Sequence, residues 1–174
     1  MSGDVHGWAD FSEEKPDPRC RFALGRDFVG QEHKAKALFA GLNPSRAGAD
    51  VNDMTVSKGM GFARLWDLGG TIHVNAYPFI TPYPDELRQC TVEEMERNDR
   101  RLVVLAATAK VVVLAWGSFP RFKERFWKVA RLLAPFNPVC LGRTGDGYPK
   151  HISRIAYAAA RVPWRTAQEM EKGA

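Results

Sequence analysis

Cysteine is scarce in this chain. Cys20, Cys90 and Cys140 are odd in number and far apart, which argues against the disulfide framework that staples small secreted domains. Neither C-x-x-C nor His-x-x-x-His occurs, so structural zinc lacks its ligand spacing, and the thiols fall one short of the usual iron–sulfur set. No metal and no cofactor is expected, and the cysteines are expected to be buried structural thiols. Long apolar runs are missing too. The run Val111 to Ala115 is strand-sized, far short of the ~20 residues of a membrane helix, so no membrane partner is expected. Met1 to His6 carry neither a basic nor an apolar leader pattern, and a cytoplasmic location is expected. The G-x-S-x-G elbow of the serine hydrolases, internal repeats and low-complexity segments are also absent.

What remains is a chain of 174 residues, 45% hydrophobic, with a mean hydropathy of -0.32. That is enough for one packed domain. The charge is uneven. Asp4, Asp10, Glu13, Glu14 and Asp17 face only Lys15 near the start. Between residues 119 and 165 Arg121, Lys123, Arg125, Lys128, Arg131, Arg143, Lys150, Arg154, Arg161 and Arg165 face only Glu124 and Asp146. A basic surface of this kind attracts phosphates, although such runs are also solvated helix faces.

Residues 1–18 are polar, with Pro16 and Pro18, and read as an arm. Arg19 to Phe28 alternates as an edge strand or hairpin does. Lys36 to Leu42 is a short apolar run that ends in turn chemistry, consistent with a buried strand. Residues 55–68 read as a helix stopped by Gly69-Gly70. Thr71 to Tyr77 is a strand with Ile72, Val74 and Ala76 on one face and His73, Asn75 and Tyr77 on the other. An ordered proline loop, Pro78 to Pro84, leads to a helix with Thr91 as N-cap and Glu93-Glu94 in its first turn, running to about Ala109. Lys110 to Trp116 is a strand, 119–134 an amphipathic helix and Pro138 to Gly142 the last strand. A glycine-rich loop, Arg143 to Pro149, precedes a further helix to about Ala160. The alternation predicts an α/β fold: one domain over 19–165 with a mostly parallel sheet of about four strands plus an N-terminal strand or hairpin, and a tail at 166–174.

Ligands of such sheets bind at the carboxyl ends of the strands. Those ends collect the unusual polar residues. Asn43, pushed towards extended geometry by Pro44, can project its amide over the sheet edge, or simply make the turn with Ser45. Asn75 can satisfy loop backbone or read the edge of a nucleobase. His151 can donate to developing negative charge or cap a turn. His73 reads as a core histidine. Phe62, Tyr77 and Trp116 offer stacking faces or core.

Arg21-Phe22-Ala23-Leu24, Leu42-Asn43-Pro44-Ser45, Asn52-Asp53-Met54-Thr55, Gly61-Phe62-Ala63-Arg64, Val74-Asn75, Asp85-Glu86-Leu87-Arg88, Asn98-Asp99, Ala115-Trp116-Gly117 and Leu141-Gly142 through Gly147-Tyr148-Pro149-Lys150-His151 resemble, in order, the domain-of-unknown-function family 1643. The resemblance covers about residues 10 to 155 and brings no established activity. Ile80 stands where that family usually carries an arginine, and Ile152-Ser153 replaces its usual Pro-Leu. More distantly, Gly41-Leu42-Asn43-Pro44, Val74-Asn75-Ala76, Leu114-Ala115-Trp116-Gly117 and His151 resemble motifs of the uracil-DNA glycosylase superfamily. The leucine-bearing intercalation loop after the histidine is absent.

That second resemblance implies a three-layer α/β/α fold and a DNA-repair glycosidase. Asn43 would place a water, Asn75 would read the base with Phe62, Leu42 and Ser45 around it, and His151 would stabilise the leaving anion. Arg143, Lys150 and Arg154 would meet nucleic-acid phosphates. With no carboxylate beside Asn43, slow turnover or binding without catalysis is expected. Three hypotheses follow: a DNA glycosylase acting on a damaged or modified base, a non-catalytic nucleotide- or nucleic-acid-binding module on the same scaffold, and a hydrolase using Ser45 or Ser118 with His151.

Overall fold

The computed structural model describes residues 4–13, 18–45 and 51–164. Its centre is a seven-stranded mixed sheet in the order β1-β2-β4-β3-β5-β6-β7. The strands are β1 (Val5–Phe11), β2 (Arg21–Phe28), β3 (Lys36–Gly41), β4 (Gly70–Asn75), β5 (Ala109–Leu114), β6 (Val139–Cys140) and β7 (Val162–Pro163). The four central strands β4, β3, β5 and β6 run parallel. β1 and β2 form an antiparallel hairpin that joins the sheet through β4, and β7 adds an antiparallel edge beyond β6. The α-helices are α1 (Met54–Leu65), α2 (Val92–Ala106) and α3 (Lys123–Leu133).

Period-two alternation divides the core between the two faces. Leu38, Ala40, Ile72, Val74, Val112 and Leu114 pack with Leu102 and Leu105 of α2 and Phe126 and Val129 of α3. Ala37, Phe39, Val113 and Ala115 pack with Val56, Met60, Phe62 and Ala63 of α1. α2 begins at the N-cap expected, Thr91, which forms a capping box: its hydroxyl accepts the Glu94 N–H and the Glu94 carboxylate accepts the Thr91 N–H. α1 is capped by Asp53, whose carboxylate accepts the Val56 N–H at 2.8 Å.

Three expectations require correction. Residues 5–11 are not arm but the outer strand of the hairpin, because Val5 and Ala9 pack against the α1-side core and Trp8 against the opposite one. Pro138 to Gly142 is not the last strand: it shrinks to Val139–Cys140, and β7 pairs outside it. Among the described residues no α-helix follows residue 151. A single 3-10 turn, Ile152–Arg154, stands there, since Ile152 and Ile155, three residues apart, both bury on the α1 side. Part of the proposed arm and the proposed tail at 166–174 lie outside the described residues. Cys20 and Cys140 are buried free thiols and Cys90 is half-buried; burial pushes the Cys20 thiol up to about 12. No described helix is long and apolar enough to cross a membrane.

Candidate functional site

A cleft of about 650 Å3 opens at the carboxyl ends of β3, β4 and β5. β3 sits between β4 and β5; its own chain leaves through α1 on one face, whereas β5 leaves through α3 on the other. Neighbouring parallel strands whose connections diverge leave a crevice between them, the usual ligand position in open α/β sheets. Leu42, Asn43, Ser45, Asn75 and His151 all line this cleft, so strand ends distant in sequence converge in space.

The amides are held by the chain itself. Asn43 Nδ2 donates to the Thr81 carbonyl at 2.7 Å and to the Pro44 carbonyl at 3.2 Å, which leaves its Oδ1 as the side-chain acceptor. The acceptors around Asn75 fix its orientation in the same way: its amide nitrogen donates to the carbonyls of Asn43 and Val74, each at 3.2 Å. Gly41 makes this approach feasible, because a Cβ there would stand 2.8 Å from the Asn75 amide. From the far side of the sheet, Asn98 of α2 donates to Asn75 O at 2.9 Å and Arg125 of α3 donates to Ala76 O at 2.6 Å. The end of β4 is therefore clamped from behind.

His151 precedes the 3-10 turn, and its Nδ1 accepts the Ser153 N–H and lies 2.7 Å from the Ser153 hydroxyl. Burial lowers its pKa, so the ring is neutral at pH 7. A neutral imidazole that accepts at Nδ1 carries its proton on Nε2, as a donor. The Ser153 backbone N–H, 3.4 Å from Nδ1, favours this tautomer, and the Ser153 hydroxyl can donate to the same nitrogen.

Three cleft residues were not assigned from sequence. Asp53 lines the cleft and its Oδ2 accepts the Ser45 hydroxyl at 2.5 Å. Burial raises its pKa, but the Ser45 hydroxyl and the Val56 N–H outweigh that and hold the carboxyl below its usual range. The sequence predicts no carboxylate beside Asn43; Asp53 lines the same cleft. The signal for Asp53 was an N-cap residue directly before helical periodicity. Arg21 is 3% exposed and donates to Ser45 O at 3.3 Å; burial lowers its pKa to about 10. It reaches the cleft through a β-bulge. Asp10 faces Ala23 but Phe11 faces Arg21, so Phe22 is an extra residue and the alternation slips by one. His73 also lines the cleft. It stacks on Phe39 with centroids 5.5 Å apart, and its Nε2 is buried without a hydrogen-bond partner; burial takes its pKa down to about 3. It is a buried neutral histidine, as expected, whose Nε2 has no partner among the described residues.

Other expectations fail on geometry. Phe62 is fully buried against Trp66 and Tyr157 and does not line the cleft, so it cannot stack on a ligand there. Tyr77 packs edge-on to Phe122; the aromatic cleft walls are Phe39, Trp116 and Phe119. Arg143 lies away from the cleft and donates to the carbonyls of Pro163 and Trp164. Lys150 and Arg154 are exposed beside His151, and the Arg154 charge adds to the lowering of the His151 pKa. Much of the basic stretch is neutralised: Arg121 pairs with Asp85 at 2.6 Å, and Arg125 and Lys128 pair with Asp99 at 2.7 and 2.8 Å. Ser45 bonds Asp53 and Ser118 bonds Asp146, so neither serine is activated by His151 among the described contacts. No described cluster of His, Cys, Asp and Glu could hold a metal.

No curated protein and no solved structure matches the chain. The family model described as a protein of unknown function (DUF1643) matches residues 21–151, a span that begins at Arg21 and ends at His151, and the chain belongs to that family.

Proposed function

We propose that the cleft recognises a nucleobase and hydrolyses the N-glycosidic bond of a damaged or modified base in DNA, on a three-layer α/β/α scaffold like that of the uracil-DNA glycosylases. Four central parallel strands with helices on both faces support the scaffold reading. The observation that carries the enzymatic reading is the Asp53 carboxylate, held ionised in the same cleft as the neutral donor His151. Bond cleavage leaves an anionic base and an oxocarbenium-like sugar, and catalysis is served by a hydrogen-bond donor at the first and a negative group at the second. Asp53 stabilises the sugar and takes the proton of the attacking water, whose oxygen bonds to the anomeric carbon. His151 Nε2–H donates to the departing base. With its nitrogen turned to the chain, Asn75 presents its amide oxygen to a base N–H, and Asn43 Oδ1 orients the water. The cleft volume suits one base and its sugar.

A second reading, a non-catalytic nucleotide-binding module, is favoured by one observation: both amide nitrogens are engaged by backbone carbonyls. The discriminating experiment incubates the protein with single- and double-stranded oligonucleotides carrying uracil, hypoxanthine or hydroxymethyluracil and scores alkali-labile abasic sites. Cleavage by wild type that falls by about 100-fold or more in Asp53→Asn and His151→Ala supports catalysis. Tight binding with no cleavage of any substrate sinks the enzyme and leaves the binding module.

A further inference from the structure

A second cavity, of about 400 Å3, lies on the α3 side of the same strand ends, walled by Trp116, Phe126, Trp127, Tyr148 and Trp164. It shares Trp116 with the cleft, and the segment after Trp116 serves both: Phe119 lines the cleft, whereas Pro120 and Lys123 line the second cavity. That partition is braced. Gly117 N donates to Pro149 O at 3.0 Å, and the Ser118 hydroxyl donates to Asp146, a residue of the cavity's far lip.

The chemistry of the walls is specific. Trp116 lies flat on Phe126, with centroids 4.9 Å apart and planes 5° from parallel, and meets Trp164 edge-on. Trp127 and Tyr148 are only half-buried. The Trp116 indole N–H has no acceptor among the described residues, although the residue is 1% exposed; buried indoles normally find one. Asp146 supplies an acceptor whose pKa the Ser118 and Thr144 hydroxyls lower, and Lys123 supplies a cation in the first turn of α3. Two half-buried rings, Trp127 and Tyr148, over a packed aromatic floor, with one donor, one carboxylate and one cation, match a second planar heterocycle with a phosphate beside it.

We propose that this cavity is the subsite for the nucleobase adjacent to the one in the cleft, on a single strand. The inference rests on the reading of the cleft as a nucleobase site. The two bases straddle the partition at Ser118–Pro120, Lys123 meets the phosphate that links them, and Asp146 favours a neighbour with an exocyclic amino group. Neither base is then stacked on the other, which a duplex does not permit without unpairing both.

The test is a binding series on the full chain. Deoxynucleoside monophosphates of uracil, hypoxanthine and hydroxymethyluracil are compared by calorimetry with dinucleotides that add cytosine, thymine or an abasic sugar on either side; the abasic form carries the same phosphates without the second base. A cytosine neighbour is expected to tighten Kd about tenfold over the abasic control, and thymine less. Trp127→Ala abolishes the gain, Trp127→Tyr keeps part of it, and neither changes the monophosphate Kd by more than about twofold. Lys123→Ala, at an exposed position that leaves folding intact, reduces dinucleotide but not monophosphate binding. The subsite is overturned if monophosphates bind and a second base adds nothing, or if the gain survives both Trp127→Ala and Lys123→Ala. A panel in which no nucleotide binds overturns the subsite and the reading of the cleft together.

Discussion

Asp53 caps α1 and presents a charge to the cleft, and two substitutions separate those roles. Asn accepts a helix N–H about as well as Asp does, whereas Ala does not. Asp53→Asn is therefore expected to unfold within about 0.5 kcal/mol of wild type while losing activity, and Asp53→Ala to lose about 1 kcal/mol as well, both read from urea midpoints. His73 makes a different demand. Its folded pKa of about 3 lies below the ordinary 6.5, so between those values only the unfolded chain takes up the proton. Its contribution is complete above pH 6.5 and is lost as pH falls towards 3, by about 2 kcal/mol at pH 5. His73→Phe keeps a ring against Phe39 and removes the titration. Its stability should fall less than that of wild type between pH 7 and 5; an identical slope in the two proteins would refute the assignment.

At the scale of elements, the parallel strands were legible because each is a short apolar run ending in turn residues, as in Lys36 to Gly41. The convergence of Asn43, Asn75 and His151 followed from that topology alone. What stayed hidden were features that no local period encodes. The bulge at Phe22 turns Arg21 into the cleft, and nothing in Arg21 to Phe28 announces an extra residue. Arg26, also buried, donates to Asn52 Oδ1 at 2.6 Å and Val51 O at 3.0 Å, pinning the segment that leads into Asp53. Phe62 shows the opposite failure: an aromatic residue read as a ligand face belongs to the core of α1. Phe62→Ala is expected to cost about 3–5 kcal/mol of stability, with ligand affinity unchanged in whatever fraction remains folded. A selective loss of affinity without destabilisation would return Phe62 to the site.

Across the whole molecule, the formal charge of +5 overstates what a polyanion meets. Arg121, Arg125 and Lys128 are paired with carboxylates, Asp10 is paired with Arg97 and Arg101 of α2, and Arg143 is spent on backbone carbonyls. Lys123, on the second cavity, and Lys150 and Arg154, on either side of His151 in the chain, are exposed cations at the two sites. Since each neutralised phosphate contributes about 0.9 to the slope of log K against log salt, a slope of roughly -2 to -3 is expected for oligonucleotide binding. Fluorescence anisotropy between 50 and 300 mM salt measures it, and a slope steeper than about -6 would mean that the paired cations are recruited after all.

The order in which the cleft is assembled carries a consequence for synthesis. Arg21 leaves the ribosome first, then Asn43, Asp53 and Asn75, and His151 emerges only after every parallel strand has been made. A nascent chain halted before residue 151 therefore holds the Asp53 carboxylate and the two amides but not the His151 imidazole. The cleft is thus completed only after its parallel strands have been made, while the edge strand β7 is still to follow.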